Sequence, residues 1–509
     1  MLTKAAVFTD HMVLQRRKPI PVWGTAQAGQ RVKVSLGDDV RETFADENGN
    51  WKTFLPPREA GGPLTLTISC NEDTLTCEDV LVGEVWLAGG QSNMEMALKD
   101  CKDGKKEIAN SCDKNVRFYN VPRCAVLGEE LTKLESESSW QICTPQTSSE
   151  ISAVAWFFAV QISESQNVPV GIIDCYWGGS SVSTWISREK LEKNSAGREY
   201  LDSYAALVGD KTAEQYYREM KEYDKLWQAW NSRVEHMRKQ DPHITWAELN
   251  KLCGICPWPQ PAGDQSPYRP SGIYETMLKR VSPYALRGFI YYQGEEDTAR
   301  YSTYDDMMFC LIEQWRTDWC DLDLPFLFVQ LPMYCSAEEY SNNDDNKNWA
   351  EIREKQWKVS RTVRNTAMAV LTDHGEFDNI HPLDKRTVGT RLALLARNKV
   401  YGELVAADAP RVQSIRRNDK CVEVRFSHTA GSLRIKGDCL EGFELAGKDG
   451  IYHKAKGKLC LDTVVLWADE VPAPEGVRYA WTNYGTANLY NAVGLPAISF
   501  RTGEEFIIV

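Results

Sequence analysis

Between residues 80 and 400 the chain repeats one alternation: a short run of continuous apolar residues, then a segment with helical spacing. Val85-Trp86-Leu87-Ala88, Val170-Gly171-Ile172-Ile173-Asp174, Gly288-Phe289-Ile290-Tyr291-Tyr292, Phe326-Leu327-Phe328-Val329-Gln330 and Met368-Ala369-Val370-Leu371 are such runs. A strand that is apolar at successive positions is buried on both faces. Helix-period stretches lie around 152–165, 303–319 and 350–364. Strands alternating with helices predict an α/β domain layered on a parallel sheet.

Different textures flank this region. Residues 1–82 carry period-two runs such as Arg31-Val32-Lys33-Val34-Ser35-Leu36 and Leu64-Thr65-Leu66-Thr67-Ile68, broken by Gly, Asp-Asp and Pro-Pro, which predict an N-terminal antiparallel β-sandwich module. Alternation returns in 401–509, with Cys421-Val422-Glu423-Val424-Arg425-Phe426 and Thr463-Val464-Val465-Leu466-Trp467, and predicts a C-terminal β-rich module. The α/β domain then occupies 83–400, with a helical insertion at about 190–265. In that insertion Tyr216, Met220, Tyr223, Trp227, Trp230, Val234 and Met237 recur at steps of three and four. Such a stripe is expected to pack as core rather than form an aromatic platform for sugar.

A formal charge of -12 argues against a protein that grips nucleic acid, which requires clustered Lys and Arg. No run approaches the ~18 apolar residues of a membrane span. The start, Met1-Leu2-Thr3-Lys4, lacks an apolar leader, and 15 cysteines without a repeating framework fit reduced thiols. The expectation is a cytoplasmic protein; removal of a signal would instead make it secreted or periplasmic. Cys253-Gly-Ile-Cys256 has no second pair at zinc-ribbon spacing and reads as free thiols.

Ser92 lies in Gly89-Gly90-Gln91-Ser92-Asn93-Met94, directly after an apolar strand and before a helix-compatible stretch. Ligands of parallel α/β sheets bind at the carboxyl ends of strands, and backbone N–H groups at a helix start can stabilise an oxyanion. Ser92 is therefore a candidate nucleophile, although serine is also a common helix cap. Met94 stands where the Gly-x-Ser-x-Gly elbow would have its second glycine, which disfavours that subclass. A serine nucleophile needs a base, and the base needs a group that fixes its tautomer. Asp378-Asn379-Ile380-His381-Pro382 offers both, with His374 as the main rival; His11, His236, His243, His428 and His453 lack this combination. Two more glycine-containing turns follow buried strands, Trp177-Gly178-Gly179-Ser180 and Gln293-Gly294-Glu295-Glu296-Asp297. On the sheet edge of Ser92, the N–H of Gly179 and the amide of Gln293 would be oxyanion donors beside the N–H of Ser92 itself. Gln91, Asn93 and Glu295 are candidates for substrate binding or support of the site. One acidic cluster at 295–297 is weak support for a metal or a glycosidase pair.

These motifs, in this order, resemble those of the SGNH hydrolases, and in particular the sialate O-acetylesterase branch. Similar to that branch too are His11-Met12-Val13-Leu14-Gln15-Arg16 and Pro21-Val22-Trp23-Gly24 near the start, and Val477-Arg478-Tyr479-Ala480-Trp481 and Asn488-Leu489-Tyr490-Asn491 near the end. The resemblance implies a three-layer α/β/α domain, no cofactor or metal, an acetylated sugar or oligosaccharide as partner, and deacetylation through an acyl-enzyme. It implies Ser92 as nucleophile, His381 as base, Asp378 as its orienter, and Gly179 and Gln293 as oxyanion partners. Glu296 departs from the serine often found after Gln-Gly-Glu in that branch. Two other readings stand beside a sialate esterase: an acetylesterase for xylan- or other hemicellulose-derived oligosaccharides, and a carbohydrate-binding protein with a dead site.

Overall fold

The computed structural model describes residues 1–112, 115–241, 244–342, 346–418 and 420–502. Its centre is a sheet in the order Thr366–Ala369, Phe326–Val329, Gly288–Tyr292, Asp73–Gly90, Val170–Tyr176, Val116–Asn120, Gln141–Ile142. All of these pairings are parallel except the last, which is antiparallel. The continuous apolar runs are buried along their length, as a sheet covered on both faces requires. Alternation of side chains sends Trp86 against Phe158 of the helix Ala153–Gln166, while its neighbours Leu87 and Gly89 face the other way, where Trp315 of the helix Tyr304–Asp318 lies against Gly89. Helices thus cover both faces, giving the three-layer α/β/α arrangement.

The strand Asp73–Gly90 runs for 18 residues and changes neighbours midway. Its first part, to Gly83, pairs with Gly61–Cys70 and Val13–Gln15 of the N-terminal β region. From Glu84 onward it is the central strand of the α/β sheet. At this junction Glu84 is fully buried, 2.5 Å from Arg16 Nε and 2.7 Å from Arg287 Nε. Burial alone would raise its pKa, but the two guanidiniums hold the carboxyl below its ordinary value.

In the N-terminal region Arg31–Leu36 pairs antiparallel with Asp39–Phe44 and Gly61–Cys70, and Ile20–Thr25 with Asn50–Leu55. The C-terminal region holds two four-stranded antiparallel sheets. It braces the α/β layer: Trp481 is buried and donates to Glu354 at 3.0 Å, and Thr372 donates to the carbonyl of Ala497 at 2.8 Å.

The insertion forms the helices Arg188–Lys193, Ser195–Val208, Ala213–Gln240 and Trp246–Cys253. A capping box of Thr212 and Gln215 starts the third of these. Its stripe divides along the helix. Trp230 and Val234, with Trp227 and Met237 beside them, pack with Ile244, Leu249 and Cys253 into a small core of their own. Tyr216 near the helix start is buried too, against Gly263, whereas half-buried Tyr223 lines a groove and departs from the expected core packing. All 15 cysteines are free, those at 253 and 256 included, and no described helix is long and apolar enough to cross a membrane.

Candidate active site

The three glycine-containing motifs meet at one sheet edge because their strands are in register. Gly90 is opposite Tyr176 on one side and Tyr292 on the other, so each chain leaves the sheet at the same level. Gly90 has φ +134, and a Cβ there would lie 2.1 Å from the carbonyl oxygen of Tyr292. Only glycine lets the chain turn this close to its neighbour. The short helix Ser92–Glu95 follows at once.

Ser92 Oγ lies 2.8 Å from His381 Nε2. The imidazole meets the ring of Trp246 edge-on, with centroids 5.0 Å apart. Burial pushes the His381 pKa down to about 3, with the charges of Lys385 and Arg238 adding to the effect. A neutral imidazole is the form able to accept the serine proton. The rival His374 is committed elsewhere, donating from Nε2 to the carbonyl of Asp384 at 2.9 Å, while His243 lies outside the described residues.

Asp378 does not reach the imidazole. It sits at φ +56, accepts the Ala337 N–H at 2.9 Å and donates its own N–H to Cys335. The sequence expectation that it orients His381 is corrected accordingly: a left-handed residue three positions before the histidine turns its carboxylate toward Ala337. The loop is shaped instead by Glu376 and Asn379, whose side chains bond each other at 2.6 Å, while Glu376 also accepts the Leu383 N–H and Asn379 bonds the backbone of His381. No described residue accepts from His381 Nδ1.

A second correction concerns Gln293. Its two amide hydrogens are used on Ser180 O at 3.2 Å and Asp297 Oδ2 at 2.5 Å, and its Oε1 accepts from Tyr304. It has no donor left for an oxyanion and instead ties one loop to the next. Asp297 anchors that tie, accepting also from Val182 N, Ser181 Oγ and Tyr200 Oη. The N–H groups of Ser92 and Gly179 have no partner among the described residues and are free to face a developing negative charge. Gly178 lies against the nucleophile, since a Cβ on it would be 3.4 Å from Ser92 Cβ. Glu95 fixes this loop by accepting the Gly178 N–H at 2.5 Å while paired with Arg123.

Beneath Ser92 runs a buried polar network. Asn93 Nδ2 donates to Glu295 Oε1 at 2.6 Å and to Ile380 O at 3.0 Å, and Asn93 Oδ1 accepts from Lys385 Nζ at 2.5 Å. Asn93 thereby ties the nucleophile's helix to the residue preceding the histidine. Glu295 Oε2 is buried without a partner, and burial raises that carboxyl's pKa while it lowers that of Lys385 to about 8. Gln91 Oε1 accepts from the N–H groups of Gly294 and Glu296 at 3.3 and 3.4 Å. Asn93, Glu295 and Gln91 are thus support for the site. Lys385, Glu95, Trp246 and the Glu376–Asn379 pair were missed in the sequence, where nothing in a single chain marks them. No group of His, Cys, Asp or Glu among the described residues is arranged to hold a metal ion.

Known proteins resemble this chain in sequence and fold. Residues 244–396, which include Gln293, Glu295 and His381, match the family model "Carbohydrate esterase, sialic acid-specific acetylesterase". A crystal structure of a carbohydrate acetylesterase from Xanthomonas citri superposes with a TM-score of 0.78 at 30% identity, covering 99% of each chain. The sialate O-acetylesterase of Mus musculus is 28% identical over 78% of this chain and 73% of the mouse protein. That of Homo sapiens is 25% identical over 78% of this chain and 71% of the human protein. A fold shared over its whole length with a 30% identical relative, and a serine and a histidine joined at the end of the central strand, make this chain an ester hydrolase that belongs to the carbohydrate acetylesterases.

Proposed function

We propose that the chain is a serine esterase that removes O-acetyl groups from sugars through an acetyl-enzyme on Ser92. The observation that carries this reading is the 2.8 Å contact between Ser92 Oγ and His381 Nε2. Oγ attacks the acetyl carbonyl as Nε2 takes its proton. The oxyanion faces the N–H groups of Ser92 and Gly179. The C–O bond to the sugar then breaks, and the imidazolium returns the proton to the leaving sugar oxygen. Water, deprotonated by the same histidine, attacks the acetyl-enzyme, and acetate leaves with Ser92 reprotonated.

The curated relatives are sialate O-acetylesterases, which makes an O-acetylated sialic acid the first substrate to test. The second reading, an acetylated neutral oligosaccharide, is favoured by Glu296 beside the site, whose carboxyl burial pushes up to about 8, so that a protonated acid stands where a substrate carboxylate would need a cation. The test is acetate release from both substrates side by side, with Ser92→Ala as control and a fluorophosphonate label on the wild type. Ser92→Ala should abolish release without altering the circular-dichroism spectrum. Wild-type activity in that variant would overturn the assignment, and an unlabelled Ser92 would count against an activated nucleophile.

A further inference from the structure

Beside the Ser92–His381 pair, on the side of Gly179, lies a groove of about 960 Å³ between the α/β loops and the insertion; neither member of the pair lines it. One wall is Trp258, whose indole lies so close over Gly179 that a Cβ there would be 2.4 Å from the ring. Gly178, the next residue back, packs on Ser92. The groove therefore begins within two residues of the nucleophile and shares Glu296 and Asp297 with the site's loops. Opposite Trp258 stand the helices Ser195–Val208 and Ala213–Gln240, which contribute Tyr200, Tyr204 and Tyr223.

The walls match what a sugar ring presents. A pyranose has apolar C–H faces and a polar edge, and an aromatic face with hydroxyls and amides around it is complementary to both. Trp258 is 41% exposed although Tyr268 supports it edge-on at 4.9 Å, so one face of a fixed indole is open to the groove. Most groove charges are already paired. Lys211 bonds Glu219 at 2.6 Å, Glu222 bonds Lys225 at 2.8 Å, and the Arg300 guanidinium stacks 4.7 Å over Tyr200. What is left is Arg218 and the stacked Arg300, two guanidiniums on different elements, with the Glu296 carboxyl pushed up to about 8 by burial; this is not the clustered positive charge that an anionic chain would need.

We infer that this groove is a subsite for neutral sugar rings on the alcohol side of the ester, so the enzyme deacetylates a sugar carried within an oligosaccharide better than the same sugar alone. This rests on the reading of Ser92 as a carbohydrate deacetylase and extends it to the substrate's size. The insertion is then part of the substrate site, and Tyr223 is the element of its aromatic stripe that meets the glycan.

The test uses the full chain and acetylated xylo-oligosaccharides of one to four sugars, with p-nitrophenyl acetate as a substrate too small to reach the groove. The expected result is a kcat/KM that rises with chain length. In Trp258→Ala and Tyr223→Ala the ratio of kcat/KM on the trisaccharide to that on p-nitrophenyl acetate should fall about tenfold, mostly through KM. Because Trp258 also packs on Gly179, Tyr223→Ala on its exposed helix keeps the test open if the first variant is unstable. A length-independent kcat/KM, with both ratios unchanged, would overturn the inference. Titration of Ser92→Ala with acetylated xylotriose by calorimetry reads the groove without turnover. Binding weakened by Tyr223→Ala supports the subsite even if the acetylated position is wrong for catalysis, and absence of binding refutes it. Loss of all p-nitrophenyl acetate hydrolysis in the wild type would instead fail the serine-esterase reading, a separate outcome.

Discussion

Replacing Asn93 with alanine tests whether the network beneath the nucleophile positions the histidine. The substitution deletes three bonds at once, those to Glu295 Oε1, to Ile380 O and from Lys385 Nζ. Glu295 Oε2 already lacks a partner, so the buried carboxyl would be left with none among the described residues, and Lys385 would lose its acceptor. Stranding polar groups this deeply is expected to cost about 3–5 kcal/mol. For a domain of this size that lowers Tm by roughly 6–10 °C. The catalytic effect comes through Ile380, whose tether to Asn93 ends one residue before His381. A displacement of about 1 Å between nucleophile and base costs on the order of 100-fold in kcat. Differential scanning fluorimetry and p-nitrophenyl acetate kinetics read the two consequences separately. An Asn93→Ala enzyme whose Tm falls by less than about 1 °C and whose kcat falls by less than about threefold would refute the reasoning.

Burial holds His381 far below its ordinary pKa of 6.5, so the neutral base persists as pH falls, and kcat/KM should be flat from about pH 7 to pH 5. An acid limb centred near 6.5 would mean that the imidazole is solvated and that its burial is not felt. Asp378→Ala should lower kcat by less than about tenfold, against about 10⁴ for loss of an acid bonded to the catalytic histidine. A loss of the larger size would show that Asp378 swings from Ala337 to the imidazole when substrate binds.

What was legible in the sequence follows from how local each signal is. The buried strands and the helices between them could be read because burial on two faces writes itself into consecutive residues, and the structure places strands at 170–176, 288–292 and 326–329 as expected, while the run Val85–Ala88 proves to be the end of the longer strand Asp73–Gly90. The last strand lies at Thr366–Ala369, two residues earlier than its apolar run suggested, because Val370 and Leu371 are buried in the loop beyond it. Ser92 and His381 were found because each follows a strand end. The partners of Gln293 and Asp378 were not legible. Whether an amide faces substrate or Asp297, or a carboxylate faces His381 or Ala337, depends on residues far away in the chain. The same holds for Asn93 and Lys385, which are 292 positions apart and 2.5 Å from each other.

Among the described residues no carboxylate bonds His381 Nδ1, and this bears on how the first step is stabilised. Around the resting imidazole the charges felt most are Lys385 and Arg238, and both oppose protonation. An imidazolium formed there needs a compensating negative charge, and the reaction itself generates one, because the proton leaves Ser92 as the acetyl carbonyl becomes an oxyanion. The pair is neutral overall, so its energy depends on how well the oxyanion is held rather than on a buried acid. Donor loss at the oxyanion should therefore cost this enzyme more than loss of Asp378. The two free N–H groups belong to Ser92 and to Gly179, and the latter sits on a loop clamped by Glu95 on one side and covered by Trp258 on the other. On the proposed mechanism the groove wall and the oxyanion donor are thus neighbours in one turn, so a sugar ring seated on Trp258 would bear directly on the backbone proposed to stabilise the transition state.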